Sequence, residues 1–263
     1  MELNDKVAIV VGGASGIGRA TAARLAQAGA SVMIADVLKE KADRIADDIR
    51  AKGGEASTVA VDFRHEEECN EMVRVTLEKY GKIDILVNVA GGIVGTLKST
   101  NLTGNLPMQA PVAEQTKEMW DFIVDINLNG PRNSVRAVIN HMMERGSGKI
   151  VNFSSIAVVD GLANNSDYTA AKAGVVGFTK ALAREVVSYG IQANCITPSG
   201  TWAEHGRDLE EEIRRREERD ERAASMFPIM PEEVAEAVLF LVGFGSDHMS
   251  GQNIIFGTPR QPA

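Results

Sequence analysis

A tyrosine and a lysine four positions apart are the residues of this chain whose types and spacing most directly suggest chemistry. On a helix, Tyr168 and Lys172 would lie on one face. A lysine ammonium there favours the tyrosinate and lowers the phenol pKa from about 10 toward neutrality, where acid–base catalysis works best. Ser155 lies thirteen residues before the tyrosine. The Tyr-xxx-Lys spacing also arises by accident on helices, so its meaning depends on the other motifs.

A glycine-rich segment near the start of the chain has the pattern of a phosphate-binding turn. The apolar run Lys6–Val11 is typical of a strand buried on both faces, and a helical stretch, Arg19–Ala28, follows the glycines. Strand, glycine turn and helix together predict a dinucleotide site. We expect Gly12 to permit the tight turn and Gly16 and Gly18 to let backbone amides approach a pyrophosphate. The segment reads Gly12-Gly13-Ala14-Ser15-Gly16-Ile17-Gly18.

Asp36 indicates which dinucleotide would bind. It ends the next strand-like run, Ser31–Ala35, eighteen residues after Gly18. A carboxylate there accepts hydrogen bonds from both ribose hydroxyls of an adenosine and repels a 2′-phosphate. Residues 37 and 38 are not basic, and Ser15 lies between the glycines. The prediction is therefore NAD rather than NADP. The alternative is that Asp36 only caps the helix that begins near Lys39.

Taken together, these motifs resemble the short-chain dehydrogenase/reductase family in its single-domain form, over nearly the whole chain (Leu3–Gly257). Further family motifs appear in order: Asp62, Asn88-Val89-Ala90-Gly91, Asn127, Asn152-Phe153-Ser154-Ser155 and Asn194-Cys195-Ile196-Thr197-Pro198. The resemblance implies four catalytic residues, Asn127, Ser155, Tyr168 and Lys172. The cofactor residues that it implies are Gly12, Ser15, Gly16, Ile17, Gly18, Asp36, Asp62, Phe63, Asn88, Ala90, Gly91, Tyr168, Lys172, Pro198 and Thr201.

The resemblance also implies a role for each catalytic residue. Tyr168 is the general base or acid, and Lys172 lowers its pKa and holds the nicotinamide ribose. Ser155 steadies the developing carbonyl, while Asn127 holds the helix geometry and a proton-relaying water. Ser154 is a rival for the serine role, but neighbouring strand residues face opposite ways, and the thirteen-residue spacing favours Ser155.

Three positions depart from the family pattern. Val11 replaces a threonine and Val89 an asparagine, which removes polar ties between neighbouring strands and loops. Ser199 replaces a glycine beside the expected nicotinamide site. Because serine tolerates fewer backbone conformations than glycine, this loop is expected to follow a different path.

Strand-like and helical stretches alternate along the chain, which predicts an α/β fold. The expected architecture is a Rossmann-like, doubly wound, seven-stranded parallel sheet with helices on both faces, in one domain spanning residues 1–263. One of the expected helices falls near Thr116–Glu144. Ligands bind at the carboxyl ends of strands in such sheets. The motif residues Gly12, Asp36, Asp62, Asn88, Ser155 and Pro198 all fall at those ends.

Composition excludes several other classes of protein. Lys plus Arg total 28 and Asp plus Glu 36, a net charge of −8 that argues against a nucleic-acid partner. No apolar run approaches the ~20 residues that span a bilayer, and the first strand leaves no room for a signal peptide. Cys69 and Cys195 are expected to be reduced thiols of a cytoplasmic protein. The histidines His65, His141, His205 and His248 show no metal-ligand spacing, so no metal site is expected.

Two long segments are candidates for substrate recognition. The loop 92–112 is predicted to be irregular and the lid 201–227 to carry a charged helix over 208–225. Substrate-contacting residues are expected to include Ile93, Val94, Ser155, Asn165, Tyr168 and Trp202. Other candidates for the pocket are Met108, Ala157, Val158, Leu162, Asn164 and Met226. The lid helix is expected to be solvated, or alternatively to use Arg214, Arg215 or Arg216 on an anionic substrate.

The sequence therefore predicts an NAD-dependent enzyme that interconverts a secondary alcohol, cyclic or aromatic, and its ketone. An NADPH-dependent carbonyl or 3-oxoacyl reductase is the alternative on the same fold. A non-catalytic subunit of a mixed oligomer is a third, which the complete catalytic set disfavours. The resemblance implies a homotetramer with an interface at Thr116–Glu144 and Asp167–Ser188.

Overall fold

Seven parallel strands form one sheet at the centre of the computed structural model, which describes residues 2–100, 102–107, 109–201 and 229–257. The strands are β1 Val7–Val11, β2 Ser31–Asp36, β3 Glu55–Ala60, β4 Ile85–Asn88, β5 Gly148–Phe153, β6 Ile191–Pro198 and β7 Asn253–Phe256. Their order across the sheet is β3-β2-β1-β4-β5-β6-β7, which is that of a doubly wound sheet. Strands β2 and β3 are added on one side of β1, whereas β4 and the later strands are added on its other side. This switch point between β1 and β4 leaves a crevice above their carboxyl ends.

Helices cover both faces of the sheet, which confirms the predicted fold class. The described helices are α1 Gly16–Gln27, α2 Lys39–Ala51, α3 Glu66–Tyr80, α4 Val94–Leu97, α5 Lys117–Val124, α6 Gly130–Arg145, α7 Ala157–Asp160, α8 Ser166–Val186 and α9 Pro231–Val242. Apolar residues of α1, α2 and α9 pack on one face of the sheet. Those of α3, α6 and α8 pack on the other. Every residue of β1 is buried, because a central parallel strand is covered from both sides.

The predicted helix Thr116–Glu144 is interrupted. Between α5 and α6 the chain forms a π-helical turn, Asp125–Asn129, that contains Asn127. Pro131 follows this turn. A proline has no amide for the carbonyl four residues earlier and its ring clashes with that carbonyl, which here belongs to Asn127. The wider turn relieves this conflict, and such turns occur often at functional sites.

The long connection after β4 is partly ordered into helix. The short helix α4 is followed by a 3₁₀ turn, Lys98–Thr100, so the segment 92–112 is less irregular than expected. None of the described helices combines the length and apolarity needed to cross a bilayer.

Candidate active site

A cavity of about 460 Å³ opens at the carboxyl ends of the central strands. Many of the residues that the sequence singled out line it, so tertiary structure brings together positions far apart in the chain. Of the predicted site residues that the structure describes, six do not line it: Gly18, Asn88, Val94, Asn127, Asn165 and Lys172. The predicted residues that do are Gly12, Ser15, Gly16, Ile17, Asp36, Asp62, Phe63, Ala90, Gly91, Ile93, Ser155, Tyr168, Pro198 and Thr201.

Ser155 and Tyr168 meet at this cavity. Ser155 follows β5, and its Oγ accepts a hydrogen bond from the amide of Ala157 at 3.2 Å. Tyr168 lies in the first turn of α8. Burial raises the pKa of the Tyr168 phenol, and a hydrogen bond with Ser155 opposes the rise. The serine and tyrosine are therefore placed to share one substrate oxygen.

Lys172 lies behind the tyrosine rather than in the cavity wall. Its side chain is 3% exposed, and its Nζ donates to the carbonyl of Phe153 at 3.0 Å. The same Nζ is 5.9 Å from the centre of the Tyr168 ring. Burial disfavours the ammonium and lowers the pKa of Lys172 to about 8. The predicted drop in the Tyr168 pKa is not seen in this structure, because burial disfavours the charged form of both side chains.

Asn127 ties the π-helical turn to the start of the loop after β4. Its Oδ1 accepts from the amide of Gly92 at 2.8 Å, and its Nδ2 donates to the carbonyls of Gly92 and Ile123 at 2.9 and 3.0 Å. A side chain at Gly91 would stand 2.6 Å from Asn127 Oδ1 and 3.3 Å from Lys172 Nζ. Asn127 is thus a positioning residue for Gly91 and Gly92.

The glycine turn fits a dinucleotide phosphate. Gly16 has a positive φ of 47°, and a Cβ there would meet nothing within 4 Å, which leaves open space above the first amides of α1. Those amides have no partner within the helix and attract anions. Gly18 differs from the prediction. A Cβ there would lie 1.9 Å from the carbonyl oxygen of Gly12, so its small size serves the packing of the turn itself.

Asp36 closes the opposite side of this turn. Its Oδ2 accepts from the amide of Ala14 at 3.0 Å, and its Oδ1 accepts from the amide of Leu38 at 2.9 Å. The carboxylate is partly exposed in the cavity wall. Asp36 therefore has a structural bond at each oxygen, and further lone pairs remain for ribose hydroxyls.

Asp62 is engaged by a residue that sequence reasoning missed. Arg64 Nε donates to both carboxylate oxygens, and its guanidinium lies 5.5 Å from the centre of the Phe122 ring. Burial alone would raise the pKa of Asp62, but the hydrogen bonds from Arg64 outweigh it and lower that pKa. An arginine two residues after the aspartate was the only available signal.

Asn88, expected to contact the cofactor, lies in a buried polar network instead. Its Nδ2 donates to Asn152 Oδ1 at 2.9 Å, and its Oδ1 accepts from Ser134 Oγ at 2.7 Å. Asn152 Nδ2 in turn donates to Thr179 Oγ1 at 3.0 Å. The network joins β4, β5, α6 and α8, and so connects the sheet to the helix that carries Tyr168.

Both candidate serines line the cavity, but their hydrogen bonds differ. Ser154 is buried, and its Oγ donates to the carbonyl of Lys172 at 2.9 Å. That bond occupies its proton in holding α8 on β5, which supports Ser155 as the serine that faces substrate.

The family departures are accommodated locally. Val11 is fully buried in β1, and Val89 packs against the core at the cavity. Ser199 donates its amide to the carbonyl of Phe256 at 2.9 Å. A Cβ at Gly257 would lie 2.2 Å from Ser199 Oγ, and Gly257 has a φ of 121°. Serine at 199 therefore fits because glycine stands at 257.

Apolar side chains from two parts of the chain help to line the cavity. Ile93, Leu97 and Leu102 line it from the segment after β4, and Leu162 lines it from the loop before α8. Sequence reasoning missed Leu97, Leu102, Thr100 and Ile126. Ala157 and Val158 are not among the lining residues. Met108, Trp202, His205, Arg214, Arg215, Arg216, Met226 and the helix expected over 208–225 lie outside the described residues.

Two further expectations concern cysteines and metals. Cys69 and Cys195 are buried free thiols, and burial raises their pKa values to about 12 and about 11, which disfavours the reactive thiolate. Within the described parts of the chain, no cluster of three or more His, Cys, Asp or Glu side chains could hold a metal ion.

Comparison with known proteins decides the family. The family model described as short chain dehydrogenase matches residues 6–214. The chain belongs to the short-chain dehydrogenase family. It is thus an oxidoreductase with a nucleotide cofactor.

Individual members of this family resemble the chain over almost its whole length. It is 33% identical over 258 residues to a 3-oxoacyl-[acyl-carrier-protein] reductase of Thermotoga maritima, covering 97% of both chains. It is 33% identical over 258 residues to a cyclohexanol dehydrogenase of an Acinetobacter species, covering 97% of this chain and 94% of the relative. A solved structure of a single-substitution variant of actinorhodin polyketide ketoreductase with NADPH superposes with a TM-score of 0.83 at 31% identity, covering 98% of each chain.

Proposed function

We propose that this short-chain dehydrogenase is an NAD(H)-dependent enzyme that interconverts a secondary alcohol, cyclic or aromatic, and its ketone. The observation that carries the proposal is the hydrogen-bonded pair Ser155 and Tyr168 at the cavity, with Lys172 buried behind it. This pair provides one hydroxyl to orient a substrate oxygen and one phenol to exchange its proton.

The proton path follows from these positions. In alcohol oxidation, ionised Tyr168 takes the proton of the substrate hydroxyl, and Ser155 donates a hydrogen bond to the same oxygen as it becomes a carbonyl. Lys172, with a pKa of about 8, gains and loses a proton in the working range and helps return Tyr168 to its basic form. The nicotinamide, when bound, supplies the hydride acceptor. In ketone reduction, Tyr168 gives the proton back.

The preference for NAD rests on Asp36. Its carboxylate lines the cavity, and its neighbours there are Val37 and Leu38, neither of which could pair with a 2′-phosphate. A negative charge at this position favours ribose hydroxyls and repels phosphate. The ketoreductase relative solved with NADPH is the observation that favours the opposite preference.

The substrate class rests on the apolar side chains Ile93, Leu97, Leu102 and Leu162 in the cavity wall. They suit a ring better than a charged or strongly polar group. The cyclohexanol dehydrogenase relative agrees with this reading. Reduction of a 3-oxoacyl thioester is the second candidate, and the Thermotoga relative favours it.

A cofactor and substrate panel tests the proposal. Purified protein is assayed at the NADH absorbance band with NAD⁺ and NADP⁺ in parallel, against cyclic, aromatic and aliphatic secondary alcohols, and in reverse with acetoacetyl-CoA. We expect turnover of cyclic or aromatic alcohols with NAD⁺, and Tyr168→Phe to lower kcat by about 10²–10⁴-fold while NADH binding persists. Turnover of acetoacetyl-CoA with NADPH alone would establish the second candidate. A Phe variant with near-wild-type turnover would remove Tyr168 from its role.

We also propose that the protein works as a homotetramer with α5 and α8 in one interface. Trp120, on α5, is a large apolar side chain that is 41% exposed. An aromatic side chain of this size on the surface is typical of an interface.

A further inference from the structure

The residues just before Tyr168 are bonded to the end of the long segment that follows β4. The amide of Ala110 donates to the carbonyl of Asn164 at 3.1 Å. Asn165 Nδ2 donates to Gln109 Oε1 at 3.5 Å. Asn164 has a φ of 63°, a left-handed conformation that asparagine tolerates better than most residues. The loop before α8 is therefore shaped to meet residues 109 and 110.

Gln115 continues this contact into the first turn of α8. Its Oε1 accepts from Ser166 Oγ at 3.0 Å. Asp167 is 4% exposed, and its Oδ1 accepts from the amide of Tyr168 at 2.8 Å. Burial raises the pKa of Asp167, and the nearby Gln115 side chain opposes that rise, although Gln115 Nε2 is outside hydrogen-bonding geometry with any described residue. Four consecutive residues, 164–167, thus touch the segment 109–115.

The chain that leads into each of these two segments supplies part of the cavity wall. Leu97 and Leu102 lie upstream of residue 109 in the same excursion, and Leu162 lies in the loop that leads to α8. The carbonyl of Leu162 accepts from the amide of Asn165 at 3.1 Å, which connects that wall directly to the contacts above. The contacts between residues 109–115 and 164–167 therefore join the two chain segments that carry these lining residues.

We propose that Gln109 and Gln115 form a latch that fixes the width of the substrate cleft and holds it in register with Tyr168. They are positioning residues that determine specificity, and the substrates selected are compact rings rather than bulky ones. The effect on substrate choice rests on the proposed alcohol–ketone function, whereas the latch itself does not.

Hydrogen exchange read by mass spectrometry tests the latch without any substrate. In Gln109→Ala/Gln115→Ala, we expect peptides covering 109–116 and 162–169 to exchange at least about fivefold faster together, while the later part of α8 (179–186) is unchanged. The control is Thr116→Ala, which removes the Thr116 Oγ1 that accepts from the amide of Met119 at 3.2 Å and caps α5. It should leave 162–169 unchanged. Faster exchange confined to 109–116 in the double variant would overturn the latch.

The effect of the latch on substrate choice is tested by steady-state kinetics with NADH and two ketones of different size, cyclohexanone and 4-tert-butylcyclohexanone. We expect the wild type to prefer cyclohexanone, and Gln109→Ala/Gln115→Ala to reduce the ratio of the two kcat/KM values at least about fivefold, with the KM for NADH within about twofold. A loss of stability alone would lower both activities equally.

Exchanging the amide of Gln115 with the carboxyl group of Asp167 tests whether the preference for the smaller ketone can be restored. Gln115→Glu and Asp167→Asn should each reduce the kcat/KM ratio. The double variant Gln115→Glu/Asp167→Asn should restore it to within about twofold, because an amide again faces a carboxylate. No rescue, or an unchanged ratio in every variant, would overturn the specificity role. If the wild type reduces neither ketone, the proposed function fails, and the exchange experiment alone decides the latch.

Discussion

At the scale of single residues, Lys172 has a proposed role in catalysis but lowers the stability of the fold, because its ammonium is buried. Its ammonium is buried with a carbonyl as its hydrogen-bond acceptor, at 3.0 Å, and its pKa falls from 10.5 to about 8. A pKa lowered in the folded state means that folding disfavours the proton. That cost is full below pH 8, where the lysine is protonated in both states, and it disappears as pH rises toward 10.5.

We therefore expect Lys172→Met to inactivate the enzyme and yet stabilise it. At pH 7 its free energy of unfolding should exceed that of the wild type by about 1–3 kcal/mol, after the lost hydrogen bond is allowed for. Near pH 10 the difference should largely vanish. Urea unfolding at both pH values measures it. Lys180→Met, an exposed position on the same helix, should change the free energy by less than about 0.5 kcal/mol. A Lys172→Met variant less stable than the wild type at pH 7 would contradict this account.

Asp36 is the second residue with a clear prediction. Asp36→Asn keeps an oxygen for the amide of Ala14 or Leu38 but removes the negative charge. The ratio of kcat/KM for NAD⁺ over NADP⁺ should fall about tenfold or more, a free-energy change of about 1.4 kcal/mol. Asp47→Asn, an exposed carboxylate on α2, serves as the control and should leave the ratio unchanged. If the two variants have the same ratio of kcat/KM for NAD⁺ over NADP⁺, Asp36 does not discriminate against the 2′-phosphate.

At the scale of secondary-structure elements, the polar network between β4, β5, α6 and α8 positions the catalytic helix. Thr179 is 1% exposed and lies seven residues after Lys172, two turns further along the same face of α8. Its Oγ1 accepts from Asn152 and donates to the carbonyl of Val175 at 2.8 Å. A buried polar group that loses its only partner is costly, so the network should be sensitive to single substitutions.

Thr179→Val tests this, because valine matches threonine in shape but leaves Asn152 Nδ2 unpaired. We expect a loss of about 1–3 kcal/mol in the free energy of unfolding, measured with urea. Thr179→Ser keeps the hydroxyl and should recover most of that loss. Equal stability of the Val variant and the wild type would show that the network contributes little.

At the scale of the whole molecule, the carboxyl ends of the parallel strands bring the site together. β1 and β2 supply the glycine turn and Asp36, while β5 and β6 lead to Ser155 and Pro198. Each of these residues begins a loop on the same edge of the sheet, so one cavity collects them all.

The proposed homotetramer is tested by measuring the mass of the protein in solution. Light scattering coupled to gel filtration should give a mass about four times the chain mass of 28.2 kDa. Trp120→Glu places a charge on the exposed face of α5 and should shift the mass to a smaller species, because burying a charge at an interface is costly. A monomeric wild type would contradict the tetramer.

The sequence by itself determined the features that depend on neighbouring residues. Closely spaced glycines between a strand and a helix predict a phosphate-binding turn, because backbone amides would make the contacts. The i,i+4 spacing of Tyr168 and Lys172 identifies a shared helix face, and the alternation of strands and helices identifies the doubly wound sheet.

Only the tertiary structure decided the features that depend on contacts between distant residues. The side chain of Asn88 is directed into a network by Ser134 and Asn152. The π-helical turn forms where the carbonyl of Asn127 would meet Pro131. The latch between 109–115 and 164–167 joins segments about fifty residues apart. Burial also decided the directions of the Tyr168 and Lys172 pKa shifts. Desolvation depends on every group packed around a side chain, so the residues adjacent in sequence do not predict it.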